Sequence, residues 1–363
     1  MTVGINPLFG RNRFFKGDVK HLVTKQEYVS QPGGVFSYRR AMFASQDGKR
    51  FAPLLISGDL AKANSTANPE GAFACYYSRR FKGKTYLFGT LWANQVDPGM
   101  AACFSTVDHR KWTKEDIPYA VESYSSASNI VGVSANDDFL AAVTAGGPLI
   151  WTDGNAWFGR NDLPLAGRRA NAIGLAPTGV FIGTTGTNGS LAALILTATS
   201  LTGTFASRTH SFSYNSILLA AVGDTAILTA NDNPTYSSKL IASAPLNNLT
   251  TWSYPTIPAS IIGQIRSLVY GNGKWFARST TADAAELLTA ATGSGPWTLA
   301  SAKPWTDEES GGISAMYFAD GAWNAIIDRV LKRSEDNGAS WQAYPNNGLD
   351  LSGNPSVTGL YVG

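Results

Sequence analysis

The segment "RSEDNGASWQAY", residues 333–344, reads as two strands joined by a turn that holds one carboxylate, Asp336, and sets a tryptophan, Trp341, at the start of the second strand. Its pattern of Ser334, Asp336, Gly338 and Trp341 recurs upstream in looser form. "ASQDGKRF" carries Asp47 and Phe51, "STVDHRKW" carries Asp108 and Trp112, and "WTDGNAW" carries Asp153 and Trp157. More decayed copies are "TSLTGTF" ending at Phe205, "APLNNLTTW" with Asn248 and Trp252, and "TAATGSGPW" ending at Trp297. After a first, longer gap the aromatic anchors recur at the period of a four-stranded propeller blade. The extra length in that gap lies in the polar, strand-poor stretch "SGDLAKANSTANPEG", 57–71.

A second signal runs in phase with the first. "NIVGVSANDDFLAAV", "NAIGLAPTGVFIGTT", "NSILLAAVGDTAILTA", "IRSLVYGNGKWFARS" and "ISAMYFADGAWNAII" are each two short apolar runs around a tight Asn/Asp/Gly turn. Such residues supply the positive φ angles of two-residue hairpins. One blade is then strand A, tight turn, strand B, loop, strand C, Asp turn, strand D. The chain ends complete the count: "SVTGLYVG", 356–363, matches strand A, and "GGVFSYRRAMFASQDGKRF", 33–51, matches the run from strand B through the Asp turn. The sequence predicts an all-β, seven-bladed β-propeller of four-stranded antiparallel blades over 33–363. Its closing blade joins the C-terminal strand (356–363) to N-terminal strands (33–56), leaving 1–32 as an extended arm.

Composition agrees with short strands and turns. Charged residues are only 15% of 363, glycine is abundant at 37, and aromatics reach 11%. A net charge of +3 from 29 basic and 26 acidic residues gives no field that would hold a phosphate backbone, so nucleic acid is not an expected partner. No run reaches the length of a membrane span and no apolar leader opens the chain, so neither membrane insertion nor an ordinary signal peptide is expected. Cys75 and Cys103 lie in apolar runs and read as unpaired core thiols. His21, His109 and His210 show no metal-ligand spacing, and no phosphate loop or nucleophile elbow is present, so no metal or cofactor is expected. His21 reads as solvated in the arm and His109 as a surface residue.

The repeats resemble the Asp-box, or bacterial neuraminidase repeat, β-propellers, a superfamily that includes sialidases, xyloglucan-cleaving glycosidases and non-enzymatic binding proteins. The resemblance covers 33–363, and only the copy at 334–341 keeps the whole motif. A short carboxylate that opens a turn accepts the backbone N–H groups following it, so Asp47, Asp108, Asp153 and Asp336, with Ser334, Gly338 and Trp341, are expected to be structural. In a meander the A–B and C–D turns share one end of the ring. A ligand face is therefore expected among the B–C and D–A loops at the other end. The loop residues best able to bind are Trp92, Arg168, Arg169, His210, Tyr214, Tyr236, Trp305 and Asp307, since aromatic faces stack on sugars and arginine forks hold carboxylates.

A sialidase would need converging arginines, a tyrosine nucleophile and an acid/base aspartate. The chain lacks that family's Phe/Tyr-Arg-Ile-Pro signature, its nearest text being "FSYRRAM", and seven blades depart from the usual six. A glycosidase would need two carboxylates about 5–9.5 Å apart, for which Asp97, Asp307, Glu308 and Glu309 are the candidates. The arm is basic and aromatic, with Arg11, Arg13, Phe14, Phe15 and Lys16 as expected assembly contacts. Decayed small-residue repeats, a leaderless start and such an arm resemble a virion component of a bacteriophage tail. The expected protein is a non-enzymatic structural or receptor- and glycan-binding module whose partners are other virion subunits and cell-surface glycan or receptor. A sialidase-like glycoside hydrolase is the rival.

Overall fold

The computed structural model describes residues 19, 21–30, 36–53, 72–92, 100–109, 112–119, 129–177, 179–185, 194–208, 217–222, 225–230, 241–245, 248, 251–261, 264–280, 285–306, 313–327, 330–344, 349 and 355–361. Sheet I begins with β1 (His21–Ser30), β2 (Phe36–Ser45) and β3 (Ala52–Pro53). Sheet II is β4 (Ala72–Phe81), β5 (Lys84–Trp92), β6 (Met100–Thr106) and β7 (Thr113–Lys114). Sheet III is β8 (Ile130–Ala135), β9 (Leu140–Thr144), β10 (Leu149–Thr152) and β11 (Trp157–Arg160), and sheet IV is β12 (Arg169–Ala176), β13 (Gly179–Thr185), β14 (Ile195–Ala198) and β15 (Ala206–Arg208). Sheet V holds β16 (Ile217–Val222), β17 (Thr225–Ala230) and β18 (Ile241–Pro245). A lone antiparallel bridge from Ser243 to Ser253 stands where its fourth strand would run. Sheet VI is β19 (Gln264–Gly271), β20 (Lys274–Thr280), β21 (Ala285–Ala290) and β22 (Thr298–Leu299); sheet VII is β23 (Ile313–Ala319), β24 (Ala322–Ile327), β25 (Val330–Ser334) and β26 (Gln342–Tyr344). Finally β27 (Pro355–Tyr361) returns to sheet I, which is ordered β27-β1-β2-β3.

The first strands of successive sheets touch in the order β27, β4, β8, β12, β16, β19, β23 and back to β27. Apolar cores lie between the sheets rather than inside any one of them. Leu22 and Met42 meet Phe73 and Trp112 between sheets I and II, and Val143 meets Ile182 and Phe205 between III and IV. Ile241 meets Trp275 and Trp297 between V and VI, while Ile326 and Leu331 meet Val23 and Phe51 between VII and I. Of the aromatic anchors of the repeat, Phe51, Trp112, Phe205 and Trp297 are buried inter-sheet wedges, while Trp157 and Trp341 pack partly buried against such cores, burial that stabilises the blades. The chain is an all-β propeller built of four-stranded antiparallel blades.

Two of the expected hairpin turns, Asn272-Gly273 and Asp320-Gly321, are where the sequence places them, and Lys82-Gly83 adds one that the repeat pattern did not single out. Lys82-Gly83, Asn272-Gly273 and Asp320-Gly321 all have positive φ at both positions, 45° and 77°, 47° and 69°, 52° and 74°, as a type I′ turn requires. The closing sheet departs from expectation. Its three N-terminal strands start at His21, not at 33, and β1 pairs on both edges, with β2 and with β27. The stretch 36–45 forms one ten-residue strand where two were expected, because "FSYRRAMFAS" contains no turn residue to break it. The arm therefore ends before β1, and residues 1–18, including Arg11, Arg13, Phe14, Phe15 and Lys16, lie outside the described residues. His21 is wholly buried in the seam rather than solvated, with Nδ1 3.4 Å from the Tyr317 hydroxyl and its ring edge-on to Phe51.

Both cysteines are free and buried, and burial pushes each thiol well above its ordinary pKa. Neither should react with a disulfide reagent in the native protein, whereas both should titrate in denaturant; rapid native labelling of either would contradict this packing.

Candidate functional site

The Asp turns come first, because their carboxylates are the tempting chemistry. Asp336 accepts the Ser334 hydroxyl at 2.7 Å and the Ser340 N–H at 2.9 Å on Oδ1, and the Ser340 hydroxyl at 2.5 Å on Oδ2. Gly338 N–H donates back to Ser334 Oγ at 2.8 Å. Asp47 accepts the Lys49 and Arg50 N–H groups at 2.8 and 3.1 Å, and Asp153 those of Asn155 and Ala156 at 2.9 and 3.1 Å. Asp108 accepts the Thr106 hydroxyl at 3.1 Å. These donors stabilise the ionised form. The Ser340 and Ser334 hydroxyls hold Asp336 far below the usual carboxylate range, and backbone amides hold Asp153 low. For Asp47 partial burial pushes upward, but the Lys49 and Arg50 amides outweigh it.

Because the folded pKa of Asp336 is depressed, the stability it adds is complete above the unfolded value of 3.8 and is lost as pH falls below it. Asp336→Asn should therefore be less stable than the parent at pH 7, with the gap closing as pH drops below about 4. Urea midpoints measured from pH 7 down to pH 2 check this: the gap should shrink progressively below about 4 and still remain in part at pH 3, where the folded carboxylate is ionised, and a gap that does not change with pH would contradict it.

The backbone carbonyls of these turns have a second use that spacing alone did not show. Each of four turns receives a cation from the preceding sheet. Lys82 Nζ donates to Asp153 O at 2.7 Å, Lys274 Nζ to Asn337 O at 2.9 Å, and Arg333 Nη1 to Asp47 O at 3.4 Å. Arg160 Nη1 donates to Gly203 O at 2.6 Å and Leu201 O at 3.3 Å. The C–D turns are clasps between neighbouring sheets, and two of the cations come from A–B hairpins, Lys82 within its turn and Lys274 directly after one, which places both turn types at one end. His109 stands where other copies have glycine, at φ 56°, and is buried against Thr85, with Nε2 2.8 Å from Oγ1, rather than on the surface.

Of the loop residues singled out from sequence, Trp305 is a core residue. It is 3% exposed and packs with Phe276 and Trp323, while its indole N–H donates to Ala285 O at 3.1 Å. A tryptophan in a polar loop had read as a ligand platform, but burial of its large apolar surface wins. Arg168 is half-buried and bonds the Ala166 carbonyl at 3.3 Å; Arg169 opens β12 and is exposed. Trp92 ends β5, and its side chain lies outside the described residues, as do His210, Tyr214, Tyr236, Asp307, Glu308, Glu309 and Asp97 entirely. Among the described residues, no three His, Cys, Asp or Glu side chains gather to hold a metal, and no helix is long and apolar enough to cross a membrane.

A different surface feature draws on several sheets. An open cleft of about 440 Å³ on the outer edge of sheet III is lined by Tyr119, Trp151, Gly159, Arg160, Asp162 and Thr202, with Asn161 between Arg160 and Asp162. Tyr119 comes from sheet II and Thr202 from the C–D turn of sheet IV, so three consecutive sheets contribute. The segment before Tyr119 is pinned to sheet III. Ile117 is buried beside Ile130, and Glu115 accepts both the Ser105 hydroxyl and the Trp157 indole N–H, the latter at 2.9 Å. Tyr119 itself has φ 58°, a left-handed conformation that a tyrosine rarely adopts, and is 39% exposed. Its ring packs against Gly159, where a Cβ would come within 2.9 Å of Tyr119 Cδ2 and Cε2 and of Pro118 Cγ. Phe158, also exposed at 43%, stacks on Trp151 at 6.0 Å. None of these residues stands out in sequence, because the cleft is assembled from separate repeats; the one available hint was the glycine inside β11.

No protein-family model and no curated protein matches the chain. Solved structures do match. A protein from Lactobacillus plantarum is 11% identical over 95% of this chain and 100% of its own, with a TM-score of 0.56. YCF48 bound to D1 peptide is 10% identical over 77% and 84%, with a TM-score of 0.52. A prolyl endopeptidase is 11% identical over 90% of this chain and 48% of its own, with a TM-score of 0.53. At such identities the likeness speaks of fold alone, and that fold is the β-propeller.

Proposed function

We propose that the chain is a seven-bladed Asp-box propeller that serves, without catalysis, as a structural or receptor- and glycan-binding module of a bacteriophage tail, held among other virion subunits by its N-terminal arm. The blade number is supported by the cyclic order in which β27, β4, β8, β12, β16, β19 and β23 touch. The Asp-box reading is supported by carboxylates that bond within their own turns. The observation that carries the binding role is the rim cleft, where the exposed Tyr119 ring and several polar groups from three consecutive sheets come together. A peptide-bound propeller, YCF48, is in keeping with a protein partner for the arm or the loops. The virion assignment is supported by the decayed repeats and the basic, aromatic start of the chain.

Incubation with fluorogenic glycosides and with capsular or lipopolysaccharide substrates tests the choice. A glycan-array signal without turnover is the expected result. Turnover abolished by substitutions at 307–309 would replace it with the glycoside hydrolase. Deleting residues 1–18, which leaves β1 and the buried Val19 intact, should abolish assembly with partner subunits, and unchanged assembly would remove the arm from the proposal.

A further inference from the structure

We infer that the rim cleft over β11 is a subsite for a neutral hexopyranosyl unit, an inference that rests on the glycan-binding reading and names its place and chemistry. The exposed Tyr119 ring gives an apolar face at the edge of the cleft, with Trp151 in its lining, and Asn161, Asp162 and Thr202 give hydroxyl-matching donors and acceptors beside it. This mix of flat apolar surface and a few fixed polar groups, in a volume inside the roughly 300–1,000 Å³ of small-molecule sites, suits a sugar ring with one apolar face.

The site is preorganised, which lowers the cost of binding. Tyr119 is held by the strained backbone at φ 58°, by the anchored segment before it, and by a strand residue that must be glycine for the ring to pack there. Arg160 and Asp162 are locked as a fork, Nε to Oδ1 at 2.6 Å and Nη2 to Oδ2 at 2.9 Å.

That fork also sets the charge of the ligand. The guanidinium is neutralised by Asp162, its Nη1 is committed to the Leu201 and Gly203 carbonyls, and the Phe205 ring lies 5.3 Å from its centre. Among the described lining residues no cation is left to hold a carboxylate, while each Asp162 oxygen keeps lone pairs for sugar hydroxyls. The surface thus selects neutral sugars over sialic or uronic acids.

Saturation-transfer NMR of the full chain with cellotetraose, maltotetraose, lactose and 3′-sialyllactose tests this, together with Tyr119→Ala, Tyr119→Phe and Gly159→Val. Expected is binding of at least one neutral probe, weakened at least tenfold in Tyr119→Ala and Gly159→Val, kept in Tyr119→Phe, with melting curves of the Tyr119 variants unchanged. Neutral-sugar binding indifferent to Tyr119→Ala would overturn this site while leaving glycan recognition standing elsewhere. Preference for sialyllactose would overturn the charge argument. Silence of all probes, with Tyr119-dependent adhesion to periodate-oxidised bacterial surfaces, would assign the cleft to a polypeptide and overturn the inference.

Discussion

A chain lacking residues 355–363 should show no cooperative unfolding transition and should aggregate at 25 °C. β27 is paired with β1 from Tyr361 opposite His21 to Pro355 opposite Glu27, and it also touches β23 and β24 of sheet VII and β4 of sheet II. Its loss strips the inner edge of β1, leaving unpaired N–H and C=O groups, and opens the junctions on both sides of sheet I. The seam next door also suffers, since Val23, Phe43 and Phe51 pack there on Ile326 and Leu331. A permutant gives the matched control. Because Tyr361 sits opposite His21, joining them through Asn-Gly would recreate the type I′ hairpin of the other sheets. That permutant, with new ends in the 345–354 loop, should melt close to the parent. A truncated chain that melts within a few degrees of the parent would show that the seam is not needed.

The second large effect is expected at Trp323. It is completely buried, edge-on to Phe276 at 4.7 Å and to Phe318 at 5.2 Å, and its indole N–H donates to Asn337 Oδ1 at 2.9 Å. It therefore joins the core between sheets VI and VII to the very turn quoted at the outset, whose Gly338 sits where a Cβ would be 2.4 Å from Phe276 Cζ. Trp323→Ala should cost about 3–5 kcal/mol through the cavity and the lost contacts. Trp323→Phe keeps part of the volume but strands the Asn337 oxygen, for roughly 1–3 kcal/mol. Denaturant titration of the three proteins checks the order. A Trp323→Phe protein as stable as the parent would mean that the indole bond adds nothing, and equal losses for the two variants would mean that the ring packing adds nothing.

These two positions also show what could be read in advance. The Asp turn was legible because its hydrogen bonds demand particular residue types at fixed offsets, and the period was legible because each copy needs an aromatic wedge. The clasps were not, since a carbonyl accepts any lysine or arginine that reaches it, and Lys82, Arg160, Lys274 and Arg333 share no offset in sequence. The start of the closing sheet was misplaced for a related reason. Its copy was aligned through the Asp turn, and nothing in that alignment reveals that β2 runs ten residues unbroken. His21 and Trp305 were misread from the polarity of their neighbours, while their own burial is decided by strands far away along the chain. The rim cleft was invisible because Tyr119, Gly159 and Thr202 belong to three different repeats.

The seam between β1 and β27 has a consequence in time. β1 leaves the ribosome more than 300 residues before its partner exists, an interval of roughly 15–65 s at ~5–20 residues per second. Throughout it the edge of β1 that β27 will cover has no partner strand, so the β1–β2–β3 part of the sheet offers one bare edge to strands of other nascent chains. The propeller is thus a fold that ripens only when its last strand arrives. Slow translation of the final repeats lengthens the hazard, and a chaperone that shields the first fifty residues would shorten it.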